Sequence, residues 1–203
     1  MTPAQLLAYL GPAMIFAAVV AAILFAVLRA TRAKMSGQLA LTLFLALFFL
    51  ALTQHPFPDR ATLDCSTGGV APILQPFATF DHVGRLWRHW QNVPEIGLSA
   101  WLGSKIIQAA VMNLILCAAI GAAFARHAPA RHPYLAALGL GVLLSGGAEV
   151  AQLTGIFGLY PCPWRTFEVD DLIFNISGVV GGFALMRAIL GGGTRPRHPP
   201  STT

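Results

Sequence analysis

Apolar residues fall into five long runs, at residues 6–28, 38–54, 103–125, 134–155 and 169–190, and polar residues gather between them. A helix needs about 17–25 apolar residues to cross a bilayer, so each run predicts a transmembrane helix. The first run, Leu6 to Leu28, has no Lys or Arg before it. It therefore lacks the basic start of a cleavable signal peptide and is expected to remain as an anchor. Residues 55–102 are too polar for a span. Within them Val83, Leu86, Trp87 and Trp90 recur at i, i+3, i+4 and i+7, the spacing of one helical face, with Arg85, Arg88 and His89 off that face. Asp81 is expected to cap this short helix and Pro94 to stop it. Its apolar face fits either the other spans or the membrane surface, and two indoles beside two guanidinium groups favour the surface. Residues 191–203, rich in Gly and Pro, predict a disordered tail.

The few polar and small residues inside the spans line up in stripes. Asn113, Cys117 and Gly121 share a face of the third span, and Gly141, Ser145, Glu149 and Gln152 share one of the fourth. Asp171, Asn175, Gly178 and Gly182 share one of the fifth. Small and hydrogen-bonding residues at such spacing mark contacts between helices in lipid. The expected fold is all-α: a polytopic membrane helix bundle of about five transmembrane helices with a short amphipathic interfacial helix. It divides into an N-terminal anchor with its basic loop (1–36), a membrane domain (37–190) and the tail (191–203).

Composition agrees with this division. Of 203 residues, 56% are hydrophobic and only 10% charged, against about 25% charged in a soluble domain. Mean hydropathy is +0.66. A net charge of +5 would suit a nucleic-acid binder, but the basic residues stand in short loops between spans, where they retain loops in the cytoplasm. No nucleic-acid partner is expected. With the N-terminus outside, the inner segments hold Arg29, Arg32, Lys34, Arg126, Arg131, Arg187, Arg195 and Arg197. The outer segments hold Arg60, Arg85, Arg88, Lys105 and Arg165. Eight against five predicts a multi-pass protein of the cell membrane, N-terminus outside and C-terminus cytoplasmic.

Candidate chemistry concentrates between Ser145 and Gly182. Four of the eight acidic residues are here: Glu149, Glu168, Asp170 and Asp171. Charge next to apolar helix is costly, so its presence points to a site. Glu149 lies about six residues inside its span, roughly 9 Å deep at 1.5 Å per residue, with Asn175 at similar depth in the next. Gln152, Asp170 and Asp171 are shallower, and Arg165 is in the loop between. These groups are expected to converge at the outer interface. Structural roles compete for several of them. Asp170 or Asp171 can cap its own helix, and Asn113, Gln152 and Asn175 can join helices by hydrogen bonds. A carboxylate within a span, Glu149, needs a partner or a function. Arg165 either neutralises the acids or grips an anionic headgroup. Cys117 lies mid-span as a small apolar packer. Cys65 and Cys162 both fall outside, where a disulfide can form and persist, and they are expected to pair. There is no internal repeat, Gly-rich phosphate loop or paired-Cys metal motif, so neither metal nor cofactor is expected.

The motif Glu149-x-x-Gln152, then Arg165-T-F-E-V-Asp170-Asp171-L-I-F-Asn175-I-S-Gly178 and Gly182, resembles the VanZ-like family of bacterial integral membrane proteins. Two further pieces agree with it, Pro76-Phe77 and Asn113-L-I-L-C-A-A-I-Gly121, although Cys117 and Ala119 stand where the family usually has Phe and Pro. The Y-P-C-P-W-R variant with an upstream Cys is similar to the actinobacterial branch. The resemblance implies that residues 37–190 form a VanZ-like domain with a cell-envelope role, in a family whose namesake is associated with resistance to the glycopeptide teicoplanin. Two functions remain open. One is a protein that binds an anionic membrane lipid or a lipid-linked cell-wall precursor at the outer leaflet through Glu149, Gln152, Arg165, Asp171, Asn175 and Asn113. The other is a membrane enzyme acting on such a lipid, with Glu149, Asp170 or Asp171 as acid–base groups.

Overall fold

The computed structural model describes residues 3–30, 36–66, 68–93 and 104–191. The expectations for Pro94, Arg32, Lys34, Arg195 and Arg197, for residues 192–203 of the tail and for the Arg29 side chain lie outside the described residues. The chain is all-helical, with α1 (Pro3–Ala30), α2 (Gly37–Gln54), α3 (Ala78–Asn92), α4 (Lys105–Phe124), α5 (Pro133–Leu153), the single turn α6 (Gly155–Gly158) and α7 (Val169–Gly191). Helices α1, α2, α4, α5 and α7 are long and apolar enough to cross a membrane, the five that the hydrophobic runs predict.

Small residues determine how closely the spans approach. A Cβ at Gly178 would meet the Leu114 carbonyl oxygen at 2.7 Å, and one at Gly182 would overlap the Ala118 backbone. From the other side, a Cβ at Gly121 would overlap the Val179 carbonyl. Helices α4 and α7 therefore touch backbone to backbone, which suits lipid, where dispersion and close approach rather than water exclusion hold helices together. Phe49, Cys117, Ile120, Ala148 and Val179 fill the space between α2, α4, α5 and α7. The outward faces carry exposed Ile115, Leu143 and Leu185 at 63%, 76% and 65%. Such apolar surface belongs against lipid.

Helix α3 lies apart from this core. None of its residues is buried, and the Trp87 and Trp90 rings lie tilted against each other with centroids 4.6 Å apart. Its start differs from expectation. Asp81 sits in the first turn rather than at the cap; the cap position is Phe77, in left-handed conformation at φ 66. An aromatic side chain supplies no acceptor for the free N–H groups of a first turn, so the acceptor must come from elsewhere.

A strapped polar site at one end of the bundle

The segment between α2 and α3 runs alongside the loop between α6 and α7 and is fastened to it repeatedly. Trp164 Nε1 donates to the Pro56 carbonyl at 3.2 Å. Cys65 and Cys162 are disulfide-bonded, with Cα atoms 5.8 Å apart, the pairing expected from the sequence. Val70 N–H donates to the Pro163 carbonyl at 3.2 Å. Gly69 between these fastenings has φ +88, and a Cβ there would meet the Pro163 carbonyl oxygen at 2.5 Å; position and conformation both require glycine. Ile73 then pairs in parallel with Glu168, through Ile73 N–H to Phe167 O at 2.8 Å and Val169 N–H to Ile73 O at 3.1 Å. Finally, the two Asp170 carboxylate oxygens accept from the N–H groups of Phe77 and Thr79.

Asp170 is thus a cap, but of α3, more than ninety residues earlier, and not of its own helix. Its carboxylate satisfies the first-turn donors that Phe77 cannot, and a charged acceptor at a helix N-terminus is also favoured by the helix dipole. It is buried, at 3% exposure, with both oxygens engaged.

Beneath the strap the polar groups separate into two sets. The first joins helices. Asn175 Nδ2 donates to Ser145 Oγ at 3.1 Å, and Cys117 Sγ lies 3.6 Å from Asn175 Oδ1. Gln152 Nε2 donates to the Thr53 carbonyl at 3.0 Å, while Gln54 Nε2 donates to the Ala148 carbonyl at 3.1 Å. Each carboxamide faces a carbonyl, so its nitrogen must point there, and Gln54 Oε1 and Gln152 Oε1 are left buried without a partner among the described residues. Glu149, 1% exposed, accepts from Glu168 N–H at 2.9 Å through Oε2; its Oε1 is likewise unpartnered. The deepest carboxylate therefore holds the backbone at the start of α7.

The second set lines a cavity of about 260 Å³ where α4 and α7 begin. Lys105, Arg165, Glu168 and Asp171 supply four charges to its wall, with Thr79 and Thr166 beside them. Among the described residues these four close no ion pair. The Asn113 side chain stands beside the Asp171 carboxylate from α4, and the Arg165 guanidinium is within Coulombic reach of Glu149, Glu168 and Asp171. Burial, and then the charges of Asp171 and Asp170, push the Glu168 carboxyl above its ordinary range, against the pull of Arg165.

Arg165 and Asp171 thus share the cavity wall, with Asn113 beside Asp171. Glu149, Gln152 and Asn175 lie outside the cavity wall and brace it. Lys105, Glu168 and Gln54 join the site without having been singled out by spacing. Each is a polar residue at the very end of an apolar span or its flank, and that position is the signal that marks them.

An apolar bundle of five helices able to cross a membrane, with most of its buried polar groups gathered at one end, defines a helical integral membrane protein. The model of the VanZ/LLP1 family matches residues 39–190, three-quarters of the chain. The chain belongs to that family. Neither a curated protein nor a solved structure matches it significantly.

Proposed function

We propose that the protein binds the phosphate of an anionic envelope lipid, or of a lipid-linked cell-wall precursor, in the strapped cavity at the outer leaflet, and so screens it from glycopeptides such as teicoplanin. The observation that carries this reading is the placement of Arg165 and Lys105 on the wall of a cavity at the end of the bundle, neither of them ion-paired among the described residues. A guanidinium and an ammonium that close no ion pair can take up a phosphate, the first through two parallel hydrogen bonds. Two features support the outer placement. Lys and Arg favour the opposite loops, and the Cys65–Cys162 bridge suits an oxidising compartment. The N-terminus is then outside and the C-terminus cytoplasmic.

Mass spectrometry of lipids that co-purify with the full chain tests the reading. Wild type is expected to retain a phosphate-bearing lipid, and Arg165→Gln to lose most of it at equal yield. Equal retention by both removes Arg165 as the anchor. The position of Asp171 on the cavity wall favours a second reading, an enzyme with Asp171 as general base. Accumulation of a headgroup-modified lipid in cells with wild type and not Asp171→Asn would select it. Asp170, with both oxygens bound, is unsuited to that role.

A further inference from the structure

The cavity carries carboxylates as well as cations. Lys105 comes from the start of α4 and Arg165 from the strapped loop, while Glu168 and Asp171 stand three residues apart at the start of α7. Within so small a volume, two carboxylates repel a ligand that is only anionic, and two cations repel one that is only cationic. The four charges come from a fastened frame and close no ion pair among the described residues, so they stand ready for a ligand that offers both signs. At about 260 Å³ the cavity is just below the roughly 300–1,000 Å³ of sites that enclose a whole drug-sized ligand, a size for a headgroup rather than an oligosaccharide. Ile106, Ala109 and Ala110, on one face of α4, give it an apolar wall against which the carbons of a lipid can lie.

We infer that the ligand is an amino-phosphate headgroup, a phosphate held by Arg165 and Lys105 with a protonated primary amine held by Glu168 and Asp171, presented by a lipid of the phosphatidylethanolamine class. The inference rests on the phosphate contact of the lipid reading above and replaces its anionic lipid with a zwitterionic one, whose phosphate and amine together carry no net charge. A primary ammonium donates hydrogen bonds to carboxylates; a trimethylammonium cannot, and a glycerol headgroup brings no charge to them. Capping removes Asp170 from the competition for the amine, and the bond from Glu168 N–H to Glu149 fixes the backbone from which the Glu168 side chain projects.

The full chain, purified and reconstituted in phosphatidylcholine nanodiscs containing phosphatidylethanolamine or phosphatidylglycerol, can be assayed by native mass spectrometry for the lipid that survives release from the disc. Wild type is expected to keep phosphatidylethanolamine about tenfold better than phosphatidylglycerol, the size of one charge-assisted hydrogen bond. Glu168→Gln and Asp171→Asn should each move that ratio toward unity, whereas Arg165→Gln should weaken both lipids together. Glu168→Gln keeps the experiment decisive if Asp171→Asn, which also faces Asn113, does not fold. Soluble phosphoethanolamine should displace the lipid only weakly, for want of chains along α4, and inorganic phosphate more weakly still. A wild-type preference for phosphatidylglycerol overturns the amine contact and leaves the phosphate reading standing. Retention of neither lipid above phosphatidylcholine overturns both. An unchanged ratio in both acid variants removes Glu168 and Asp171 as its holders. Soluble phosphoethanolamine binding as tightly as the lipid reassigns the site to a soluble ligand.

Discussion

Single carboxylates in this protein have distinct tasks that their sequence neighbours do not reveal. Asp170 and Asp171 are adjacent, yet one caps a helix on the far side of the chain and the other lines a cavity. Asp170→Asn keeps the size and removes the charge from two hydrogen bonds, so a loss of about 1.5–3 kcal/mol at the start of α3 is expected. Hydrogen exchange reads it out: the amides of Phe77 and Thr79 should exchange faster in the variant, and unchanged protection would place the cap elsewhere. Glu168 gives a pH-dependent prediction. Its folded carboxyl lies above its ordinary 4.5, because burial and then Asp171 and Asp170 disfavour the charge. Folding therefore binds a proton, and the stability due to this group is whole below about 4.5 and falls as pH rises through the raised value. Glu168→Gln removes that loss. In detergent its Tm should equal or exceed that of wild type at pH 7.5, and any such gain should close toward pH 4.5. A gain that grows on acidification contradicts the assignment.

Elements follow the pattern of the sequence where periodicity governs them and depart from it where long-range contacts do. The five spans end within a few residues of the apolar runs, because length and hydropathy alone determine what crosses a bilayer. The Gly178-x-x-x-Gly182 seam was legible for the same reason, as was the buried face of Ser145, Glu149 and Gln152. The start of α3 was not. Asp81 looks like a cap locally, but the true acceptor, Asp170, is distant in sequence and no local pattern links it to Phe77. Gln152 was legible as interhelical glue, whereas Gln54, which bonds in the other direction to the Ala148 carbonyl, looked like the end of a span. The α4–α7 seam makes a strong prediction. Gly182→Val puts a branched side chain onto the Ala118 backbone, where overpacking costs about 1–3 kcal/mol or more. Lower Tm and poorer recovery are expected, while Gly181→Ala, whose Cβ would meet nothing, should behave as wild type. Equal tolerance at both positions would mean that the helices do not touch there.

At the scale of the molecule, a lipid-facing bundle holds a charged cavity at one end, and a polar segment is fastened across that end by a disulfide, a short parallel pairing and a carboxylate cap. The candidate site was legible as a cluster because charge within apolar sequence is conspicuous. Its division into bracing and cavity-lining groups was not, since that depends on which side chains the strap engages. Everything proposed for the cavity depends on its facing the outside of the cell. Thr166 lies on the cavity wall, while Cys117 is buried and the other two cysteines are bridged, so wild type should resist a membrane-impermeant maleimide and Thr166→Cys should report the cavity. Labelling of Thr166→Cys in intact cells, with none of wild type, is the predicted result; labelling only after the membrane is permeabilised would place the cavity in the cytoplasm and contradict it.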